Sequence, residues 1–212
     1  MGNTNKVIAA SSGAGKSYLT KNGLIPKALE NGCRIAILDV EGEYHSYSDA
    51  TVQDPFRYKD AFKDGHRVVN FEPDYVNEQT EQAGKVCDQF IEGATEIQVV
   101  EEEKKPLVLI IEEAHNFQKS TKIYSSKLKR ANKQGQKYKV SVWQISQEPQ
   151  DYERSSWNNA GDVILMRMRQ VPKKAVKLAP EVTESELQEL GIGEFYHIPD
   201  DVNLPVKKFP PI

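Results

Sequence analysis

Ser12, Gly13, Ala14, Gly15, Lys16, Ser17 and Tyr18 have the residue types and spacing of a loop that cradles a phosphate chain. Small residues let the backbone wrap closely around a β-phosphate. Successive N–H groups then turn inward, and the helix that follows adds positive potential from its N-terminus. Lys16 is placed to reach the β- and γ-phosphates, and the Ser17 hydroxyl to ligate Mg²⁺. The full pattern is G-x4-G-K-[ST]. Gly15, Lys16 and Ser17 match it, and Ala10 stands where the first glycine belongs. An ordinary strand–turn–helix joint would also accept these residues, so the assignment leans on what lies downstream.

Such a loop needs a partner acid. Glu112 follows the aliphatic run Leu107 to Ile111, where it can hold Mg²⁺ directly or through water. Glu113 can orient and deprotonate a water for attack on the γ-phosphate. Two adjacent carboxylates at the end of a buried strand require solvent, metal or cations. With the loop they point to ATP hydrolysis over nucleotide phosphorylation, which needs an acceptor pocket and an arginine-rich lid. Gln147 falls just past the next apolar run, where its amide could touch the γ-phosphate or the attacking water. It could equally be a turn residue before Glu148 and Pro149. No arginine adjoins the loop or the acids in sequence. Arg130, Arg154, Arg167 and Arg169 are the candidates for stabilising the transferring phosphoryl group, from farther along the chain or from a neighbouring subunit.

The elements that must hold these residues can be read from hydrophobic pattern. Val7 to Ala10, Arg34 to Asp39, His66 to Phe71, Leu107 to Ile111, Val140 to Ser146 and Asp162 to Met166 are short apolar runs without polar alternation, as strands buried on both faces require. A helix is expected from Ser17 to about Leu29. A long helix is expected over 76–104, with Ala83, Val86, Phe90, Ala94, Ile97 and Val100 on one face and a solvated acidic face opposite. Gly84 and Gly93 are expected to weaken it. Residues 45–65 read as loop or short helix. Thr183 and Glu186 form a capping box that opens a short helix, and Glu194–Ile198 and Val206–Phe209 are expected to pair as a hairpin. Asp39 ends its strand where ligands of open α/β sheets bind. The alternation of strands and helices gives one α/β domain with a mainly parallel sheet.

The net charge is −3, and no stretch is long and apolar enough to predict a transmembrane segment. No signal peptide is expected before the first strand, and Cys33 and Cys87 are expected to be reduced, partly buried thiols. Charge is unevenly spread. Lys119, Lys122, Lys127, Lys129, Arg130, Lys133, Lys137 and Lys139 fall in one stretch free of Asp and Glu, with Tyr124 and Tyr138 among them. On an acidic protein this stretch is the best candidate for contact with a DNA backbone, through Lys127, Lys129, Lys133 and Lys137. A solvated lysine-rich helix is the plainer alternative.

Taken in order, these stations resemble the HerA/FtsK superfamily of P-loop ATPases. Ser12 to Ser17 is similar to its phosphate loop, and Asp39-Val40-Glu41-Gly42-Glu43-Tyr44 to the Asp-x-x-Gly-Glu-Tyr segment of HerA-like members. Leu107 to His115 is similar to its acidic strand ending in Glu-Glu-Ala-His. Ile145 to Pro149 is similar to its Ser/Thr-Gln-Arg-Pro sensor, with Glu148 in place of arginine. Gln136 falls where many members carry an arginine, and Arg130 is the substitute choice. The resemblance implies an α/β fold, a single P-loop NTPase (ASCE, RecA-like) domain over residues 1–212. It implies ATP and Mg²⁺ as cofactors and an oligomeric ring, a hexamer or pentamer, acting on double-stranded DNA. Among members the chain looks most like the small genome-packaging ATPases of membrane-containing icosahedral viruses. That likeness implies a capsid vertex or inner-membrane protein as partner, and a location in the host cytoplasm or at the virion vertex. A plasmid or host DNA pump core and an assembly ATPase acting on protein are the alternatives.

Overall fold

The computed structural model describes residues 4–74, 76–147, 149–199 and 204–212. Strand β1 (Lys6–Ala9) runs into the glycine-rich loop and then into α1 (Lys16–Leu19). A π-helical turn (Thr20–Leu24) joins α1 to α2 (Ile25–Glu30). Next come β2 (Arg34–Leu38), β3 (Ala50–Val52), α3 (Tyr58–Lys63), β4 (Val68–Phe71), α4 (Glu81–Thr95), α5 (Ile97–Val100) and β5 (Leu107–Ile111). A small hairpin of β6 (Gln118–Lys119) and β7 (Lys122–Ile123) precedes α6 (Ser126–Gln134) and β8 (Val140–Ser146). The chain then forms α7 (Arg154–Asn158), β9 (Asp162–Met166), α8 (Lys173–Leu178), α9 (Glu184–Glu189), β10 (Phe195–Pro199) and β11 (Lys207–Phe209).

One sheet holds nine strands in the order β11-β10-β9-β1-β8-β5-β2-β4-β3. It is parallel from β9 to β3 and antiparallel only where β10 and β11 fold back. The runs read from sequence are central because both of their faces are covered. In β5, Leu107, Leu109 and Ile111 enter one apolar cluster and Val108 and Ile110 the other. Each such aliphatic side chain contributes about 1.5–3 kcal/mol by leaving water. The α1–α2 side packs on the second cluster, through Leu19, Ile25 and Ala28. Helices α3, α4 and α6 pack on the first, through Phe62, Phe90 and Leu128.

This register fixes the site. β8 lies between β1 and β5, with Ala9 opposite Ser146 and Ile111 opposite Gln144. Leu38 of β2 is opposite Ile111. The glycine-rich loop, the segment after Asp39, the paired acids and Gln147 therefore leave the sheet along one edge, the C-terminal ends of adjacent parallel strands.

Several expectations are corrected. The long helix starts at Glu81 with Thr80 as its cap and breaks before Ile97, so it is shorter than 76–104. Its glycines allow close approach. A Cβ on Gly93 would lie 2.0 Å from the Pro55 carbonyl oxygen, and one on Gly84 2.6 Å from that of Tyr124. Its acidic face is engaged as well as solvated: Glu81 pairs with Lys122, Glu92 with Lys127 and Glu96 with Lys59. Asp88 accepts from the Ser125 and Ser126 hydroxyls and the Lys127 N–H, at the N-terminus of α6 where an anion is favoured. Residues 45–65 contain the edge strand β3 besides α3. Both cysteines are buried and free, and burial pushes the Cys87 thiol up to about 12. The Thr183–Glu186 capping box and the β10–β11 pairing are present.

Candidate ATP site and basic surface

The loop after β1 is held by two segments, the one that follows β9 and the one that precedes β10. The Ser11 N–H donates to the Arg167 carbonyl at 2.8 Å, and the Ser11 hydroxyl accepts from the Arg169 N–H at 2.8 Å. The Ala14 carbonyl accepts from the Gly193 N–H at 2.9 Å. Gly13 and Gly15 have φ of 70° and 98°, the left-handed region that glycine enters without steric cost. Gly15 caps α1 with no side-chain bond to its first turn, and helix N-terminal amides of this kind suit an anion. Ala10 directly follows β1, its N–H donates to the Ser146 carbonyl at 3.2 Å, and its position is not among the left-handed ones. That is why an alanine suffices where the pattern has glycine. Ser12 and Gly13 are exposed at the tip, Ala14 is buried beneath them, and Tyr18 projects from α1 into solvent.

The structure brings Lys16, Ser17, Glu112, Glu113 and Gln147 together. Lys16 is buried, with its Nζ 3.9 Å from Glu113 Oε1. Glu113 accepts from the Gln147 N–H at 3.2 Å, and its Oε2 is 3.1 Å from His115 Nδ1. That ring nitrogen is also 3.0 Å from the Ser146 hydroxyl. Glu113 has φ 43° and ψ 52°, a conformation that costs a non-glycine residue roughly 1–2 kcal/mol and that clusters at functional sites. The turn aims its carboxylate back across β8 toward Lys16. Glu148 lies outside the described residues.

Glu112 is almost wholly buried and is 3.4 Å from the Tyr44 hydroxyl. Burial, then the charges of Glu113 and Glu43, push its carboxyl well above the usual range. Burial, then Glu113 and Glu43, also raise Glu41. Asp39 does not reach into the crevice as its position suggested. It accepts from the N–H groups of Glu43 and Tyr44 and from the Asn70 amide, and so shapes the turn that carries Glu41 and Glu43. The Ser17 hydroxyl donates to Glu43. Carboxylates crowded around one lysine and one serine hydroxyl suit a hard divalent cation bound by oxygen. Ser17 and Glu112 are the residues that would hold it, and it would neutralise charge on phosphate oxygens.

Pattern reading missed Glu43, His115, Ser146 and Gly193 as members of this site. Glu43, His115 and Ser146 were legible as parts of motifs, and their contacts were not. Gly193 carries no sequence signal, because it reaches the loop only after the chain returns past β9.

Arg130 is not brought to the loop. It lines a cleft of about 670 Å³ between α4, α5 and α6, together with Tyr138 and Val140 at the start of β8. Across the seven residues of β8 this is roughly 20 Å from Ser146. Arg167 and Arg169, by contrast, follow β9 alongside Ser11. The basic stretch is not one helix: Lys119 and Lys122 lie on the β6–β7 hairpin, Lys127, Lys129 and Lys133 on α6, and Lys137 on the 3₁₀ turn Gly135–Tyr138. Lys129, Lys133 and Lys137 are exposed, while Lys127 is 3.2 Å from Glu92.

The family model described as "Helicase HerA, central domain" matches residues 6–186. The chain belongs to this family. This HerA-family protein is a P-loop ATPase of the HerA/FtsK type, and its mainly parallel sheet is the fold of that class. It is similar to the genome packaging NTPase B204 from Sulfolobus turreted icosahedral virus 2 in complex with AMPPCP. Identity is 15%, coverage is 99% of this chain and 98% of that one, and the TM-score is 0.77. VirB4 of Thermoanaerobacter pseudethanolicus is similar at 14% identity, 97% and 88% coverage and TM-score 0.66. The bacterial conjugative coupling protein TrwBΔN70 is similar at 12% identity, 99% and 85% coverage and TM-score 0.71. No curated protein sequence matches the chain. Among the described residues no helix is long and apolar enough to cross a membrane.

Proposed function

We propose that this ATPase moves double-stranded DNA and packages a viral genome into its capsid. The chain acts as one motor domain over residues 1–212 in a homo-oligomeric ring of six or five copies. The observation that carries this reading is the match to B204, which spans nearly all of both chains and so pairs this chain with the whole of that solved packaging NTPase. Lys16 and the loop amides hold the β- and γ-phosphates. Glu113, fixed by Gln147 and His115, takes the proton of the attacking water, and Gln147 contacts the γ-phosphate side of the site. Mg²⁺ at Ser17 and Glu112 is the expected cofactor. Arg130, far from its own loop, serves a neighbouring subunit, while Arg167 or Arg169 is placed to act within the chain. Lys129, Lys133 and Lys137 meet DNA phosphates without reading sequence. The protein works in the host cytoplasm or at a virion vertex, docked to a capsid or inner-membrane protein.

VirB4 and TrwBΔN70 support a second reading, a conjugative or host DNA pump core. Displacement of a triplex-forming strand from long duplex DNA tests movement itself. ATP-dependent displacement that Lys16→Ala abolishes is expected. ATP hydrolysis without any displacement would favour an assembly ATPase acting on protein.

A further inference from the structure

Glu43 has no part in the reading above, yet it is the residue that touches the Ser17 hydroxyl. Its backbone is held in place. The Glu43 N–H donates to Asp39, and its carbonyl accepts from the Lys21 ammonium. Lys21 itself leaves the π-helical turn, where its carbonyl accepts from the Tyr47 hydroxyl at 2.8 Å and its ammonium lies 4.8 Å from the centre of the Tyr44 ring. The carboxylate is exposed and the backbone beneath it is fixed, so the side chain is free to turn while staying within reach of Ser17. Glu112, the other acid expected at the metal, is deep, sealed under Tyr44 and dominated by its own burial. Glu112 is thus buried and Glu43 exposed, and the charges of Glu113, Glu43, Lys16 and Asp39 all act on Glu112.

We propose that Glu43 is a magnesium-positioning residue. In the nucleotide-free protein it holds the Ser17 hydroxyl. When the nucleotide brings its cation, the same carboxylate turns to accept from the cation's outer water shell, so that metal-bound nucleotide is favoured and metal-free nucleotide is opposed. The discrimination is electrostatic. Against metal-free ATP, Glu43 adds a like charge beside the phosphates; against the cation it adds an opposite one. The π-helical turn has a role in this: it presents Lys21 to the Glu43 carbonyl, which ties the acidic turn to the helix carrying Ser17.

This inference rests on the ATP site, and its test separates the two. Binding of a fluorescent ATP analogue is titrated with Mg²⁺ and repeated in EDTA, for the native chain, Glu43→Gln and Glu43→Ala. Both variants are expected to need about 10-fold more Mg²⁺ to reach half of the metal-induced gain in affinity, the usual scale for an outer-shell residue. In EDTA both should bind the analogue as tightly as the native chain or up to about threefold tighter, because a repulsive charge is gone. That result also shows the loop is intact. A Mg²⁺ midpoint unchanged in both variants would overturn the proposal, as would an equal loss of affinity with and without metal, which marks a merely structural contact. A native chain that binds no analogue in either condition would instead overturn the ATP site on which the proposal rests.

Discussion

Glu113→Gln changes charge and almost nothing else. The amide keeps an oxygen for the Gln147 N–H, and the side-chain volume is conserved, so the left-handed turn at this residue is retained. What disappears is a carboxylate 3.9 Å from Lys16 Nζ with both groups buried. At an effective dielectric constant near 20, two unit charges at that separation attract by about 4 kcal/mol, before desolvation is subtracted. In the nucleotide-free site much of the positive charge of Lys16 is thus spent on Glu113, and ATP must compete for it while being repelled by the same acid. If a third of that energy returns on neutralisation, ATP binds about tenfold tighter, because 1.4 kcal/mol is a factor of ten. Chemistry should move the other way. Loss of the group that takes the proton of water costs about 10²–10⁴ in rate. Single-turnover hydrolysis of labelled ATP, read beside equilibrium binding of a fluorescent analogue, measures both. Hydrolysis within tenfold of native would refute the role of Glu113, and weaker ATP binding would refute the charge competition.

Other expectations follow from the same geometry. Lys16→Ala should lower ATP affinity by roughly 100-fold, since charge-assisted contacts to phosphate are the strong ones; calorimetric titration checks it. Replacing Lys129, Lys133 and Lys137 by Gln should reduce the slope of log K for DNA against log salt by about 3, whereas Lys127→Gln should change it by less than 1, because Glu92 already engages Lys127. Gly93→Ala should destabilise the protein by about 1–3 kcal/mol in urea melts despite the better helix propensity of alanine, because the new methyl meets backbone at Pro55. Burial opposes the charge of Asp162, but the His197 ring, the Lys6 ammonium and the Thr4 hydroxyl outweigh it and hold the carboxyl well below its usual range. A lowered native value stabilises above the unfolded one and is lost on acidification. Asp162→Asn should therefore cost roughly 2–3 kcal/mol at neutral pH and flatten the fall in urea midpoint as pH drops below 4.

The strands that build the site were legible because each is a run of aliphatics covered on both faces, so pattern and burial agree. β3 was not: Ala50, Thr51 and Val52 are half-buried at the sheet edge, where neither periodicity nor apolarity is strong. Gly84 and Gly93 read as weak points of a helix because their neighbours, Tyr124 and Pro55, are distant in sequence. The acidic face of α4 read as solvated because its lysine partners sit on α3, β7 and α6. Within the site, Lys16, Ser17, Glu112 and Glu113 follow from residue type and position at strand ends. Glu43 does not, because its contact with Ser17 depends on a turn shaped by Asp39 and on the tether from Lys21. Arg130 was the sequence choice for phosphoryl contact. Only the register, with β8 between loop and acid, shows that it lies at the far end of that strand while Arg167 and Arg169 run beside Ser11.

The most direct test of the account is steady-state ATP hydrolysis by the native chain with and without long double-stranded DNA, repeated for Glu113→Gln. Hydrolysis that rises with DNA in the native chain and is lost in the variant is the predicted result. Hydrolysis that is the same with and without DNA would contradict a DNA motor and leave an ATPase whose work is done on another substrate.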